Sequence, residues 1–356
     1  MKDAHRVLER AVDAGVFPGA QAVVRRMGAP LLEVEVGRRG PGLEPVGAEV
    51  LYDLASLTKA LGASLLWAHH YEQGRVDPAD RVAASFPRAD PRVEHHHVLR
   101  HVGGYPAHRR LDRVLPRSLE PGSPAARAWI ARAAAETPLA DPPETRTVYS
   151  DLGFMALGAV LEAVGGRSLE RQLAALGCPL SGPRPASPAR AVSAHEPRVA
   201  PTGRTPLGAT HDDNAFAMGG VAGHAGQFGA ARSVGAWAEA ALAAFHGERG
   251  APWAPETVRA LWQPRPGSVW TWGWDRPTAG GTTGGWPEDA VGHLGFTGTS
   301  LWIHPPSGLL AVLLTNRTVG AGTIAALRAV RQAFHGAVWR AHREKFADSG
   351  PVGETG

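Results

Sequence analysis

Runs suited to β-strands occur near both ends of this chain and not in its long middle, and that distribution restricts the folds open to it. "AQAVVRR" and "LLEVEVG", joined by the turn signal "MGAP", predict a hairpin near the N-terminus. "AVGHLG", "TSLWIHP" and "LLAVLLTNR" predict three strands near the C-terminus, the last two joined by "PSG". Val7, Leu8, Ala11 and Val12 repeat at helical spacing before the hairpin. Ile324, Leu327, Arg331, Phe334 and Val338 do the same in a final helix from about Thr323. Antiparallel strands from both ends can share one sheet, with the terminal helices on a face and the middle inserted as a second unit. The predicted fold is α/β of the α+β kind. Residues 1–58 and 268–345 form the sheet domain, 59–267 an inserted helical domain, and 346–356 a flexible tail.

The middle is read as helices and long loops. A helix runs from Ser56 to about residue 74, where Gly74 closes it. "DLGFMALGAVLEAVGG" is a second helix with Phe154, Leu157, Leu161 and Val164 on one face. Residues 179–213 lack a period and are too long for an idle connector, so they line a site or stay disordered. "VWTWGWD" alternates tryptophans as a strand would, which suggests core or cleft wall.

Composition sharpens one position. There are three lysines, Lys2, Lys59 and Lys345, among 37 basic residues. Wherever a generic cation serves, this chain uses arginine, which holds its proton; a buried lysine can release one. Lys59, in the apolar stretch "LYDLASLTKALGASLLW", therefore reads as a candidate proton carrier.

The same composition excludes several classes. A net charge of +4 and a pI near 9.6 do not indicate nucleic acid, because the arginines form no run longer than a pair. No segment is long and apolar enough to span a membrane, and the N-terminus lacks the apolar core of a signal peptide, so a cytoplasmic location is expected. The single cysteine, Cys178, excludes an internal disulfide. His95-His96-His97 is read as extended, with side chains on alternating sides, so no metal and no cofactor are assigned.

Three short stretches carry chemistry. In Ser56-Leu57-Thr58-Lys59 the serine and lysine share a helix face, so the amine can take the proton of a serine nucleophile; a capping serine beside a snorkelling lysine is the bland alternative. Tyr149 precedes Ser150-Asp151 at a helix start, and a phenol next to Lys59 can relay a proton from nucleophile to leaving group. His293-Leu294-Gly295 ends a strand at a glycine, where the next N–H, that of Phe296, can complete an oxyanion hole with the N–H of Ser56.

In this order and at these separations the three stretches resemble the serine hydrolases of the class C β-lactamase and penicillin-recognising group. "YDLASLTKAL", "HVLRHVGGYPAH", "VYSDLGFMALGAVLE", "THDDNAFAMGG" and "GHLGFTGTSLWIHP" are similar to segments of that family in the same order, over about residues 16–317. The resemblance implies a β-lactamase/transpeptidase-like sandwich, with an antiparallel sheet flanked by terminal helices and an inserted helical domain. It also makes His97 and His101 structural.

Two departures bear on substrate. The family's Tyr-x-Asn is Tyr149-Ser150-Asp151 here, and an ionised Asp151 can only accept. Asp151 either pairs with Lys59, keeping it charged and shifting proton work to Tyr149, or attracts a substrate amine. The lysine of Lys-Thr-Gly is His293, mostly neutral near pH 7, which weakens capture of a substrate carboxylate. His211 and His224 flank an "AMGG" turn that borders the cleft and are not assigned a catalytic role.

The expected function is a metal-free serine hydrolase acting through an acyl-enzyme on a small ester, amide or peptide. Ser56, Lys59 and Tyr149 are catalytic; Phe296, Asp151, His293 and Gly295 bind oxyanion or substrate. A D-amino-acid peptidase, DD-carboxypeptidase or weak β-lactamase is the alternative, and an inactive ligand-binding relative is the alternative of another class.

Overall fold

A computed structural model describes residues 1–180 and 199–346. Part of the 179–213 loop and nearly all of the predicted tail lie outside these residues. The elements in order are α1 (Lys2–Asp13), β1 (Gly19–Arg26), β2 (Ala29–Gly37), β3 (Tyr52–Asp53), α2 (Leu65–Glu72), α3 (His95–Leu99), α4 (Pro124–Ala135), α5 (Asp151–Gly165), α6 (Leu169–Ala175) and α7 (Asp213–Ala217). They continue with β4 (Phe228–Gly229), α8 (Ala231–His246), α9 (Pro255–Trp262), β5 (Val291–Leu294), β6 (Ser300–His304), β7 (Leu309–Thr315) and α10 (Ile324–Phe346).

The sheet has the order β2-β1-β7-β6-β5, antiparallel throughout. Its central pairing joins the two ends of the chain, with Ala20 opposite Thr315 and Arg26 opposite Leu309. The first hairpin turns through Met27 and Gly28, both at positive φ, the geometry that matches the twist of the strands it joins.

Side chains alternate across the sheet as a two-sided sandwich requires. Ala20, Ala22, Val24, Ala311 and Leu313 face a core shared with α1 and α10. Val23, Leu310, Val312 and Leu314 face a larger core that continues into the helices of the middle segment. At about 25 cal/mol per Å² of apolar surface, these two layers supply the main drive to fold. The first residues belong to this frame, since Ala4, Leu8 and Ala11 of α1 are buried in the first of these cores. Inside the span 59–267, α8 packs directly on β1 and β7, so it is a layer of the sandwich.

Three local readings need correction. His95–His97 are not extended: they open α3, because the Glu94 side chain accepts from the His97 backbone and His97 accepts from the Glu94 backbone, a reciprocal cap. The tryptophans of "VWTWGWD" lie in no strand; Trp272 and Trp274 are buried while Trp270 lines the cleft. The helix after Ser56 is not uniform, for Lys59–Ser64 form a wide π-helical turn before α2 begins.

Candidate active site

Strand β3 delivers the chain to Ser56. Its Asp53 is buried and its carboxylate accepts from Ala55 N–H at 2.8 Å, His211 N–H at 2.6 Å and the Thr210 hydroxyl at 3.1 Å. Ala55 sits at φ +47°, an uncommon conformation for a residue with a side chain, and the Asp53 bond holds it there. Burial raises the Asp53 carboxyl to about 6 despite those donors.

Lys59, fully buried, faces back onto Ser56. Its Nζ lies 3.0 Å from Ser56 Oγ, 2.7 Å from Asp151 Oδ1 and 3.1 Å from the His224 carbonyl oxygen. An ammonium has three protons, and each has an acceptor here. Burial alone would lower the Lys59 pKa, but the Asp151 charge and its hydrogen bond outweigh that and hold it above the usual lysine range. Asp151, at the first position of α5 after the Ser150 cap, is opposed by its own burial and held well below the usual carboxylate range by Lys59 and His108. His108 Nδ1 lies 3.2 Å from Asp151 Oδ2, and that bond raises the His108 pKa.

Tyr149 packs against His101, Trp270 and His293, and Lys59 Nζ is 4.7 Å from its ring centroid. Its hydroxyl has no hydrogen-bond partner among the described residues. Burial raises its pKa, and the Lys59 charge opposes that without cancelling it. His101 fixes the segment: its Nδ1 accepts from Ser150 N–H at 3.1 Å, and burial keeps the ring neutral.

The turn after β5 is clipped to the segment before Ser56. The Thr297 hydroxyl donates to the Asp53 carbonyl at 2.7 Å and the Thr299 hydroxyl to the Leu54 carbonyl at 3.0 Å. Arg331 of α10 donates to the carbonyls of Gly295 and Thr299, both at 2.6 Å. A Cβ on Gly295 would sit 2.0 Å from Thr299 Oγ1 and 2.7 Å from the Leu54 carbonyl oxygen, so only glycine fits. The N–H groups of Ser56 and Phe296 donate to no described residue. Two free amides beside a nucleophile can receive the oxygen of a tetrahedral intermediate.

His293 is buried, and its Nδ1–H donates to the Leu294 carbonyl at 2.8 Å. Burial lowers its pKa to about 3, so it carries no charge at ordinary pH. Nearby, Arg331 is committed to the two carbonyls above and Arg317 donates to the Phe296 carbonyl at 2.8 Å.

Ser56, Tyr149 and Phe296 border two lobes. One, of about 310 Å³, has largely apolar walls that include Trp270, Leu294 and Leu327. The other, of about 390 Å³, includes the ionisable side chains of His108, Asp151, His211, Asp212 and His224. The structure thus brings all seven sequence candidates to one cleft and adds His108, Asp53, Asp212, Trp270 and Arg331. Of these, Arg331 carried a sequence signal, a charge on the apolar stripe of α10, and Trp270 another, as part of the tryptophan run read as core or cleft wall.

Glu94, His96 and His97 also come together, their ligand atoms within 4.8 Å of one another. The Glu94 N–H donates to His97 Nδ1, so the neutral ring keeps its proton on Nε2 and offers no lone pair there. No metal centre is built from them.

The chain was compared with known proteins. The beta-lactamase family model matches residues 4–334. A putative D-alanyl-D-alanine carboxypeptidase of Escherichia coli K12 is 27% identical over 317 residues, covering 77% of this chain and 71% of the relative. An N-acetylmuramyl-L-alanine amidase of Bacillus subtilis is 27% identical over 373 residues, covering 89% and 81%. Among solved structures, EstCE1, a hydrolase with promiscuous acyltransferase activity, superposes with a TM-score of 0.72 at 20% identity, over 94% of this chain and 98% of that one. The octameric penicillin-binding protein homologue from Pyrococcus abyssi gives 0.71 at 18% identity, over 98% and 81%.

Proposed function

The chain belongs to the beta-lactamase family and is a serine hydrolase acting on an ester or amide bond, and from that premise we propose that Ser56 is its nucleophile, working through an acyl-enzyme. The observation that carries this is the 3.0 Å approach of Lys59 Nζ to Ser56 Oγ in a cleft with two free amide donors.

The resting site holds Lys59 as ammonium, Tyr149 as phenol and Asp151 as carboxylate. A base appears when the Lys59–Tyr149 pair loses one proton, a step that belongs to the pair. With Lys59 kept charged by Asp151, the phenolate form of Tyr149 takes the Ser56 proton as Oγ attacks the carbonyl carbon. The N–H groups of Ser56 and Phe296 receive the developing oxyanion. Tyr149 then returns the proton to the departing oxygen or nitrogen, and water repeats the sequence on the acyl-enzyme.

The substrate is a small ester or amide with no carboxylate against His293, because that position holds no cation. Both relatives described above carry names of amide-cleaving enzymes, which favours an amide or peptide, and the carboxypeptidase name favours a D-amino-acid one, as the second reading.

A fluorophosphonate probe is expected to label Ser56 in the folded protein, as located by peptide mass spectrometry, and to be lost in Ser56→Ala. Hydrolysis of p-nitrophenyl esters that persists in Ser56→Ala would overturn the assignment. Rates on p-nitrophenyl acetate, nitrocefin and D-alanine amides then rank the substrate classes.

No single helix among the described residues is long and apolar enough to cross a membrane.

A further inference from the structure

The second lobe carries three carboxylates, those of Asp151, Asp212 and Asp213. Lys59 is sealed by Asp151, and Arg110 is taken by Asp112 and Asp213. Asp212 differs from both. Its Oδ1 accepts the Ala215 N–H at 2.7 Å, capping α7, and also the His224 Nε2–H at 2.8 Å. Its Oδ2 has no donor among the described residues, and the side chain is 23% exposed in the lobe that contains Ser56.

His224 lines the same lobe, is 1% exposed, and its Nδ1 also has no partner among the described residues. Asp212 Oδ2 thus lacks a donor beside the nucleophile, on a carboxylate that His224 and the Ala215 N–H hold in place. A buried acceptor left unpaired costs free energy until a ligand supplies the proton. The opposite lobe also has a buried, unpartnered imidazole nitrogen, Nε2 of His293, but its one aspartate, Asp275, is raised by burial to about 7 and offers no fixed charge there.

We propose that Asp212, supported by His224, receives a protonated primary amine of the substrate, so that this hydrolase prefers esters or amides carrying an ammonium group. The inference rests on the serine-hydrolase reading and adds the substrate's charge. Asp212 keeps its own charge in the lobe, since burial would raise its pKa but the neighbouring His224 holds it near 2.

The test compares substrates that differ only in NH3⁺ against OH. D-alanine p-nitroanilide is set against D-lactic acid p-nitroanilide, with the amine on the acyl half. 2-Aminoethyl benzoate is set against 2-hydroxyethyl benzoate, with the amine on the alcohol half. A preference in kcat/KM of at least about tenfold for the amine in one pair is expected, and the pair that shows it identifies the half that enters the lobe. Asp212→Asn should bring that ratio to within about threefold of unity, and asparagine still caps α7. Ratios near unity in both pairs, with the hydroxyl analogues turned over at Ser56, overturn the proposal and leave the hydrolase standing. A preference that survives in folded Asp212→Asn overturns it too. If neither turnover nor fluorophosphonate labelling of Ser56 occurs, the hydrolase reading fails and the inference with it. Where the variant does not fold, or Ser56 is labelled but none of the four compounds is cleaved, protection of wild-type Ser56 from the probe decides. Protection by propylammonium beyond that by propanol supports the proposal, and equal protection overturns it.

Discussion

Lys59 Nζ and Asp151 Oδ1 lie 2.7 Å apart beneath Ser56, and this pair decides which groups in the site can move a proton. Asp151 holds Lys59 as an ammonium, so the active protonation state forms only toward alkaline pH. Activity should rise with pH along an acidic limb set by the Lys59–Tyr149 pair. Asp151→Asn removes the anion, lowers the Lys59 pKa and moves that limb to lower pH, so activity at neutral pH increases relative to the plateau. A kcat/KM profile on p-nitrophenyl acetate from pH 5 to 10 measures this, and an unmoved limb would show that the pair does not control the base.

The same pair has a stability consequence. Lys59→Met leaves Asp151 as a largely buried anion without its cation, at a cost of about 3 kcal/mol. Adding Asp151→Asn removes the stranded charge, so the double variant should unfold at higher urea than Lys59→Met alone. Strict additivity of the two changes would refute the coupling.

Gly295→Ala places a methyl group where Thr299 Oγ1 and the Leu54 carbonyl already sit. The turn must lift, and Phe296 N–H leaves its place beside Ser56. We expect kcat to fall by about 10²-fold, the usual loss for one oxyanion donor. An unchanged kcat in steady-state ester hydrolysis would remove Phe296 from the mechanism.

Stability should also depend on pH. Asp53 and Asp275 are raised by burial to about 6 and about 7, so they stabilise the fold most below their ordinary carboxylate pKa and that contribution is lost as pH rises through 6 and 7. Asp151 and Asp212 are lowered, so their contribution is present above about pH 4 and lost below it. Buried histidines act against Asp53 and Asp275: burial lowers His293 and His335 to about 3 and His342 to about 4, so their contribution is present above about pH 6.5 and lost below it. Thermal stability should therefore rise from acid pH to a maximum at about pH 6 to 7, and Asp53→Asn should steepen the rise between about pH 4 and 6. An unchanged slope in that variant would show that Asp53 does not titrate in this range.

The strands that hold the sheet together were legible because each is a short apolar or alternating run next to a Gly or Pro turn, and α5 because its period ends at a double glycine. Strands β3 and β4 are two residues each, too short for any period, yet β3 aims the nucleophile. The histidine run misled because a helix of five residues rests on its cap alone. Ser56, Lys59 and Tyr149 stood out through residue type and spacing. Asp212 and His108 did not, since nothing local separates them from other surface polar residues, and only the folded loops bring them to the cleft. The charge state of Lys59 was likewise a tertiary property, fixed by an aspartate 92 positions away.

The clips from Thr297 and Thr299 to the backbone before Ser56, together with the pairing of β1 with β7, make the active site a late product of synthesis. The ribosome releases Ser56, Lys59 and Tyr149 long before the strand that closes the sheet. Contacts of such long sequence separation form slowly. Helical signal should recover first on refolding, with hydrolysis following only after the C-terminal strands dock. A nascent or truncated chain then carries its nucleophile without the means to use it.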